Sequence, residues 1–244
     1  MLRGVFCLLV SALLVLTVGV LLIVVSLVRR SDGLSAWVMH VWARGTLRAA
    51  GVKVIVEGVE RVPDNTPCFF VGNHQSALDI PILLLARRGR AQFLAKESLF
   101  RIPIFGWSCL RAGHLPISRS HPRVTLERLE KMLKQVREHP VSLAVFPEGT
   151  RSPDGRLLPF RRGTMKICQR AGLTIVPFAI SGSLGVLRRG CYRLHPGTVR
   201  IRFAEPIPPD ELSVLSADRL LERVVEAVAG VLDVPTPIGG VVAP

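Results

Sequence analysis

Apolar residues run without a charged side chain from Val5 to Val28, and Phe6 to Val28, wound as a helix, is long enough to cross a hydrocarbon layer of about 30 Å. The run ends in Arg29-Arg30-Ser31-Asp32-Gly33, with no small-residue cleavage site, so it reads as a retained membrane segment and not as a signal peptide. Leu34 to Ala50 then mixes Trp37, Val38, Met39, Val41, Trp42 and Leu47 with His40, Arg44 and Arg48. That is the pattern of an amphipathic helix in the headgroup zone. The two segments fit either a crossing helix followed by a surface helix, or a helical hairpin dipping into one leaflet.

Beyond Gly51 short β-branched runs alternate with stretches of helical period. The predicted strands are Lys53 to Glu57, Cys68 to Val71, Gln92 to Ala95, His114 to Ile117, Ser142 to Phe146, Thr174 to Ile180 and Val199 to Phe203. The predicted helices are Ser76 to Arg87, Pro122 to Glu138, Gly163 to Ala171 closed by Gly172, and Ala217 to Leu232 capped by Ser216. Strands alternating with helices indicate an α/β fold, with a single central mixed sheet flanked by helices. The organisation is therefore a membrane helix plus interfacial helix over residues 1–50, one catalytic-size domain over 51–234, and a loose tail over 235–244.

Composition narrows the partners. The 32 basic residues exceed the 18 acidic ones to leave a net charge of +14, which favours phosphorylated substrates, acidic headgroups or nucleic acid. The aromatics sit mostly in apolar segments and are not interleaved with the basic residues, which argues against nucleic acid. Cys7, Cys68, Cys109, Cys168 and Cys191 are odd in number and never form a Cys-x-x-Cys pair; they read as small buried hydrophobes in a reducing compartment. Only Arg3 precedes the apolar segment while Arg29, Arg30, Arg44 and Arg48 follow it, placing the body on the cytoplasmic side.

Candidate chemistry lies at strand ends. After Cys68-Phe69-Phe70-Val71 comes Gly72-Asn73-His74-Gln75-Ser76-Ala77-Leu78-Asp79. In one continuous helix His74 and Asp79 would point roughly 140° apart, so they meet only if His74 lies in a loop and Asp79 in the first helical turn. A carboxylate on one imidazole nitrogen fixes the tautomer and stabilises the cation formed when the other nitrogen takes a proton. The chain has no Gly-x-Ser-x-Gly elbow, so a basic His74 would deprotonate the substrate itself. A capped helix and a satisfied buried turn would use the same two residues.

Phe146-Pro147-Glu148-Gly149-Thr150-Arg151-Ser152 also follows a predicted strand. Pro147 ends the ladder, Gly149 lets the backbone approach a ligand, and Arg151 offers a planar fork for a phosphate; a Glu148–Arg151 salt bridge in a turn fits as well. Lys96 to Arg119 combines cations with Phe100, Ile102, Ile104, Phe105 and Trp107, a composition suited to the headgroup and acyl-chain boundary or to a core segment with solvated basic ends. Ile175 to Gly182 is mostly a buried strand.

These four stretches, in this order, resemble the glycerolipid acyltransferases typified by 1-acyl-sn-glycerol-3-phosphate acyltransferase, the PlsC type. The resemblance implies acyl transfer from acyl-CoA or an acyl-carrier protein to the hydroxyl of a lysophospholipid acceptor, giving phosphatidate. It implies His74 as general base and Asp79 as its orienting partner. Glu148, Gly149, Thr150 and Arg151 carry over as acceptor-binding positions, with Lys96 and Arg119 completing a cationic pocket. Backbone N–H groups near Gly149 are one source of donors for the thioester oxygen. No metal or permanently bound cofactor is implied, membrane lipid is a partner, and the expected location is a bacterial inner membrane with the catalytic body facing the cytoplasm. Phe160-Arg161-Arg162-Gly163-Thr164 departs from the family, where a lysine is usual, and leaves lyso-ornithine lipid as an alternative acceptor. A catalytically silent lipid-binding protein with the same fold is the other class.

Overall fold

The computed structural model describes residues 2–28, 32–64, 66–88, 91–117, 122–138, 141–191 and 193–233. Helix α1 (Leu2–Leu14) passes through a π-helical turn, Val15–Gly19, into α2 (Val20–Val28), followed by α3 (Asp32–Ala50). Then come β1 (Val52–Glu57), β2 (Cys68–Gly72), α4 (Asp79–Ala86), β3 (Gln92–Lys96), α5 (Phe105–Arg111) and β4 (Leu115–Ile117). The chain continues through α6 (Pro122–Glu138), β5 (Leu143–Val145), α7 (Arg162–Ala171), β6 (Thr174–Ser181) and α8 (Ser183–Val186). It ends with β7 (Gly197–Phe203), α9 (Pro209–Val214) and α10 (Ala217–Gly230). The strands form one mixed sheet in the order β1, β7, β6, β2, β5, β3, β4. The fold separates into two units, Met1–Ala50 with Ile80–Ala144 and Gly51–Asp79 with Val145–Pro244.

In the first unit α3 runs back along α1 and α2. The Trp42 indole N–H donates to Ser11 Oγ at 3.2 Å, Cys7 Sγ–H to Thr46 O at 3.6 Å, and Val38 packs with Val18 and Leu22. Small residues permit the approach: a Cβ on Gly19 would lie 2.6 Å from Ser108 Oγ, and one on Gly45 would collide with Leu14. The opposite side of the hairpin keeps Leu8, Leu9, Leu13, Leu16 and Leu27 exposed, and Gly4–Leu27 is long and apolar enough to cross a membrane. Ile102, Trp107 and Leu110, in and before α5, are exposed too, so this stretch is not a core segment. An apolar cavity of about 80 Å³ within the unit is lined by Leu14, Val38, Trp42, Ile80, Leu84 and Phe93, among others.

In the second unit β1 pairs with β7 in parallel, β7 with β6 antiparallel, and β6 with β2 in parallel, Phe70 opposite Val176. Phe69, Phe70, Phe178 and Phe203 are fully buried at its centre, each removal from water contributing about 1.5–3 kcal/mol. Helix α10 buries Leu220, Leu221, Val224 and Val228, the apolar stripe its sequence spells out. Ser216 Oγ accepts the Arg219 N–H at 3.2 Å, the expected N-cap.

Several expectations shift. The helix predicted from Ser76 begins at Asp79, because the Gln75 and Ser76 amides are turned onto the Asp79 carboxylate instead of into a helix. Helix α10 stops at Gly230 instead of Leu232. Glu97 to Ala112 forms a 3-10 turn, Glu97–Arg101, and then α5; α8 and α9 were not predicted. Cys7, Cys68 and Cys168 are buried, but Cys191 is exposed, so it is not a core residue. Residues 235–244 and Arg119 lie outside the described residues.

Candidate active site

The site grows from the end of β2. Its last residue must be glycine, since a Cβ on Gly72 would lie 2.6 Å from both the ring and the carbonyl of Phe178. Asn73, 1% exposed, then pairs with the neighbouring strand in both directions. Its Nδ2 donates to Ile180 O at 3.0 Å and its Oδ1 accepts the Ile180 N–H at 2.8 Å. The side chain thus takes the place of another strand residue, and the chain beyond it is free to turn.

His74 lies in that turn and Asp79 opens α4, the arrangement their spacing requires. His74 Nδ1 lies 2.8 Å from Asp79 Oδ2, which also accepts the Gln75 and Ser76 amides at 2.7 and 2.8 Å. An oxygen that accepts two N–H groups is an acceptor for the imidazole as well, so Nδ1 carries the proton and the Nε2 lone pair is available. The nearby hydroxyls are committed elsewhere: Ser76 Oγ donates to Leu187 O at 2.8 Å, and Ser152 Oγ donates to Asp154 Oδ1 at 3.2 Å. The imidazole is therefore not arranged to activate a serine in the protein.

The segment after β5 braces this loop at three points. The Phe146 ring stacks on His74, centroids 4.2 Å apart and planes 13° from parallel. Glu148 Oε1 accepts the His74 N–H at 3.0 Å, and the Ser152 N–H donates to His74 O at 2.7 Å. Gly149 turns the chain at φ 66°, and a side chain there would meet the Arg161 guanidinium, its Cβ 2.8 Å from Nε. Burial, with the Asp79 charge adding to it, pushes the Glu148 carboxyl up to about 8 against the pull of the His74 and Leu158 amides.

His74, Asp79, Glu148 and Gly149 thus come together in the second unit. Thr150 Oγ1 accepts from Arg189 Nη1 at 2.9 Å, and Arg151 is half-buried. Lys96 closes β3 in the first unit. The Gly149 N–H donates to Phe146 O at 3.1 Å, which holds that amide in the turn. Asn73, Phe146, Ser152, Arg161 and Arg189 were not singled out individually from the sequence; position beside His74 or inside the Phe146 to Ser152 run was the signal for the first three. Among the described residues no group of three His, Cys, Asp or Glu side chains is arranged to hold a metal.

A family model described as Acyltransferase matches residues 53–181, a span that contains all of these loops. The chain belongs to this acyltransferase family. Family relatives include the chloroplastic 1-acyl-sn-glycerol-3-phosphate acyltransferase BAT2 of Brassica napus, 34% identical over 177 residues that cover 72% of this chain and 51% of that one. The 1-acyl-sn-glycerol-3-phosphate acyltransferase alpha of Homo sapiens is 30% identical over 174 residues, 71% of this chain and 62% of that one. The crystal structure of the 1-acyl-sn-glycerophosphate acyltransferase PlsC from Thermotoga maritima superimposes with a TM-score of 0.81 at 25% identity, covering 94% of this chain and 93% of that chain. This chain spans about half the length of the plant relatives it matches first. The family's mixed sheet with flanking helices is the fold expected from the sequence.

Proposed function

We propose that this chain is a membrane-attached 1-acyl-sn-glycerol-3-phosphate acyltransferase, moving a fatty acyl group from acyl-CoA or acyl-carrier protein to the free hydroxyl of 1-acyl-sn-glycerol 3-phosphate to give phosphatidate. The observation that carries this reading is the 2.8 Å His74–Asp79 bond, which leaves Nε2 as the acceptor in a braced loop. Nε2 takes the hydroxyl proton as the oxygen attacks the thioester carbonyl carbon; the C–S bond then breaks and the proton passes from the imidazolium to the departing sulfur. Asp79 orients the ring and stabilises its cation. Arg151 is assigned to the acceptor phosphate, where a guanidinium supplies paired donors.

The first unit supports the lipid side of this reading. Its exposed leucines on α1 and α2, with Ile102, Trp107 and Leu110, form surface suited to acyl chains and not to water. Its apolar cavity is lined by Ile80, the residue after Asp79 in α4, and suits a hydrocarbon chain. The body is assigned to the cytoplasmic face of a bacterial inner membrane, from the arginines that follow the apolar helix.

The test is purified protein in lipid vesicles with acyl-CoA or acyl-carrier protein and separate lysolipid acceptors, the products read by mass. Phosphatidate from lysophosphatidate is expected. Product from lyso-ornithine lipid alone would move the acceptor assignment, and no product from any acceptor would make the chain a lipid-binding protein.

A further inference from the structure

Several arginines of the second unit are matched to carboxylates: Arg162 Nε lies 2.7 Å from Asp218, Arg156 reaches Asp154, and Arg200 and Arg202 share Glu57 and Asp233. Arg151, Arg161 and Arg189 have no such partner among the described residues, and the Glu148–Arg151 salt bridge that the residues alone permit is not formed. All three adjoin one turn. Arg189 Nη1 donates to Thr150 Oγ1 at 2.9 Å, and Arg151 is the next residue in the chain. The Arg161 guanidinium lies against Gly149, while its amide donates to Pro147 O at 3.1 Å. The two arginines that depart from the family's usual lysine therefore divide, Arg162 toward α10 and Arg161 toward the turn. Arg161 and Arg189 are exposed and Arg151 half-buried, so a ligand can reach them. The segment carrying Arg189 is also tied to the histidine loop, since Leu187 O accepts from Ser76 Oγ, and it lies beyond residue 181, where the family match ends.

We propose that Arg161 and Arg189 join Arg151 in holding the phosphomonoester of the acceptor, Arg189 keeping one nitrogen on Thr150 and giving its other donors to the phosphate. Three guanidiniums around one turn repel one another until an anion comes between them. A phosphomonoester carries about −1.5 to −2 charges at neutral pH, and its three outer oxygens suit the planar forks of several arginines at once. This rests on the acyl-transfer reading and deepens it, because it makes a phosphate, and not a zwitterionic headgroup, the feature the enzyme selects. Acyl-CoA carries phosphates too. The acceptor is favoured because these side chains adjoin residues 149–151, the positions that the resemblance gives to the acceptor, and because their segment is bonded to the loop of His74.

The test is steady-state kinetics in vesicles on the parent, Arg161→Ala, Arg189→Ala, Arg189→Lys and Arg188→Ala. Arg188 is the control: it is exposed, next to Arg189, and its side chain has no hydrogen bond or ion pair among the described residues. Arg161→Ala and Arg189→Ala should each raise KM for lysophosphatidate about 10–100-fold, with kcat and KM for acyl-CoA within about 3-fold of the parent. Arg189→Lys, which keeps the charge without the fork, should fall between parent and alanine. Arg188→Ala should match the parent. An unchanged KM for lysophosphatidate in either alanine variant overturns that residue's assignment. So does a loss in kcat alone, which would make Arg189 a brace for Thr150, or a rise in KM for acyl-CoA alone, which would move the phosphate to the donor. An equal effect of Arg188→Ala overturns the proposal in favour of general surface charge. A parent without transfer activity defeats the acyl-transfer reading, and calorimetric binding of lysophosphatidate without acyl donor then decides: weakening by Arg189→Ala supports the phosphate site, and unchanged binding overturns it.

Discussion

The loops that follow β2 and β5 divide the work of the site. The first, residues 73–79, carries the imidazole proposed as the base and turns its amides inward onto a single Asp79 oxygen. The second, residues 146–152, offers His74 a ring, a carboxyl oxygen and an amide. Asp79 and Glu148 show the same division in chemical terms. Three hydrogen bonds gather on Asp79 Oδ2, while Glu148 Oε1 receives one from the loop; the second oxygen of each carboxyl is buried without a hydrogen-bond partner among the described residues. One carboxyl group holds its own loop together, and the other ties that loop to its neighbour.

Breaking the first loop should have the largest effect. His74→Ala is expected to lower kcat by 10² or more, and Asp79→Asn by about 10²–10⁴, because the amide cannot take both backbone N–H groups and the imidazole proton on one charged oxygen. Steady-state kinetics with lysophosphatidate measures both; a near-normal Asp79→Asn would show that the Nδ1 proton needs no carboxylate. The post on which that loop stands comes next. Asn73→Ala leaves the Ile180 N–H and C=O unpaired in a buried strand and should destabilise the chain by about 2–4 kcal/mol in denaturant titration. The smallest effect belongs to the bracing loop: Phe146→Ala removes a stacked contact worth about 1 kcal/mol and should lower kcat up to about 10-fold, with Phe146→Tyr close to the parent. Equal losses for Phe146→Ala and His74→Ala would erase the distinction between the two loops.

Much of this was legible from residue order. Cys68-Phe69-Phe70-Val71 could only be a buried strand, and the offset between His74 and Asp79 required a turn before the helix. What sequence period cannot express is long-range pairing. The antiparallel register of β6 with β7 and the partnership of Asn73 with Ile180 join residues far apart in the chain, with no local signature. The helix boundary at Asp79 was missed for a related reason. Gln75 and Ser76 look acceptable in a first helical turn until a carboxylate downstream claims their amides. Glu148 was recognisable as functional from the Phe146 to Ser152 run, yet its grip on the His74 backbone depends on how two strand ends meet.

The doubly paired Asn73 has one further consequence, in time and not in geometry. A loop whose root is locked into the strand ladder opens no more often than the sheet does, so the base does not wait on a slow ordering step before each turnover. Amide hydrogens of His74, Gln75, Ser76 and Ile180 should then exchange with solvent at rates typical of buried strands. On the proposed function, the slow step is then expected in substrate arrival or product departure and not in the ordering of this loop.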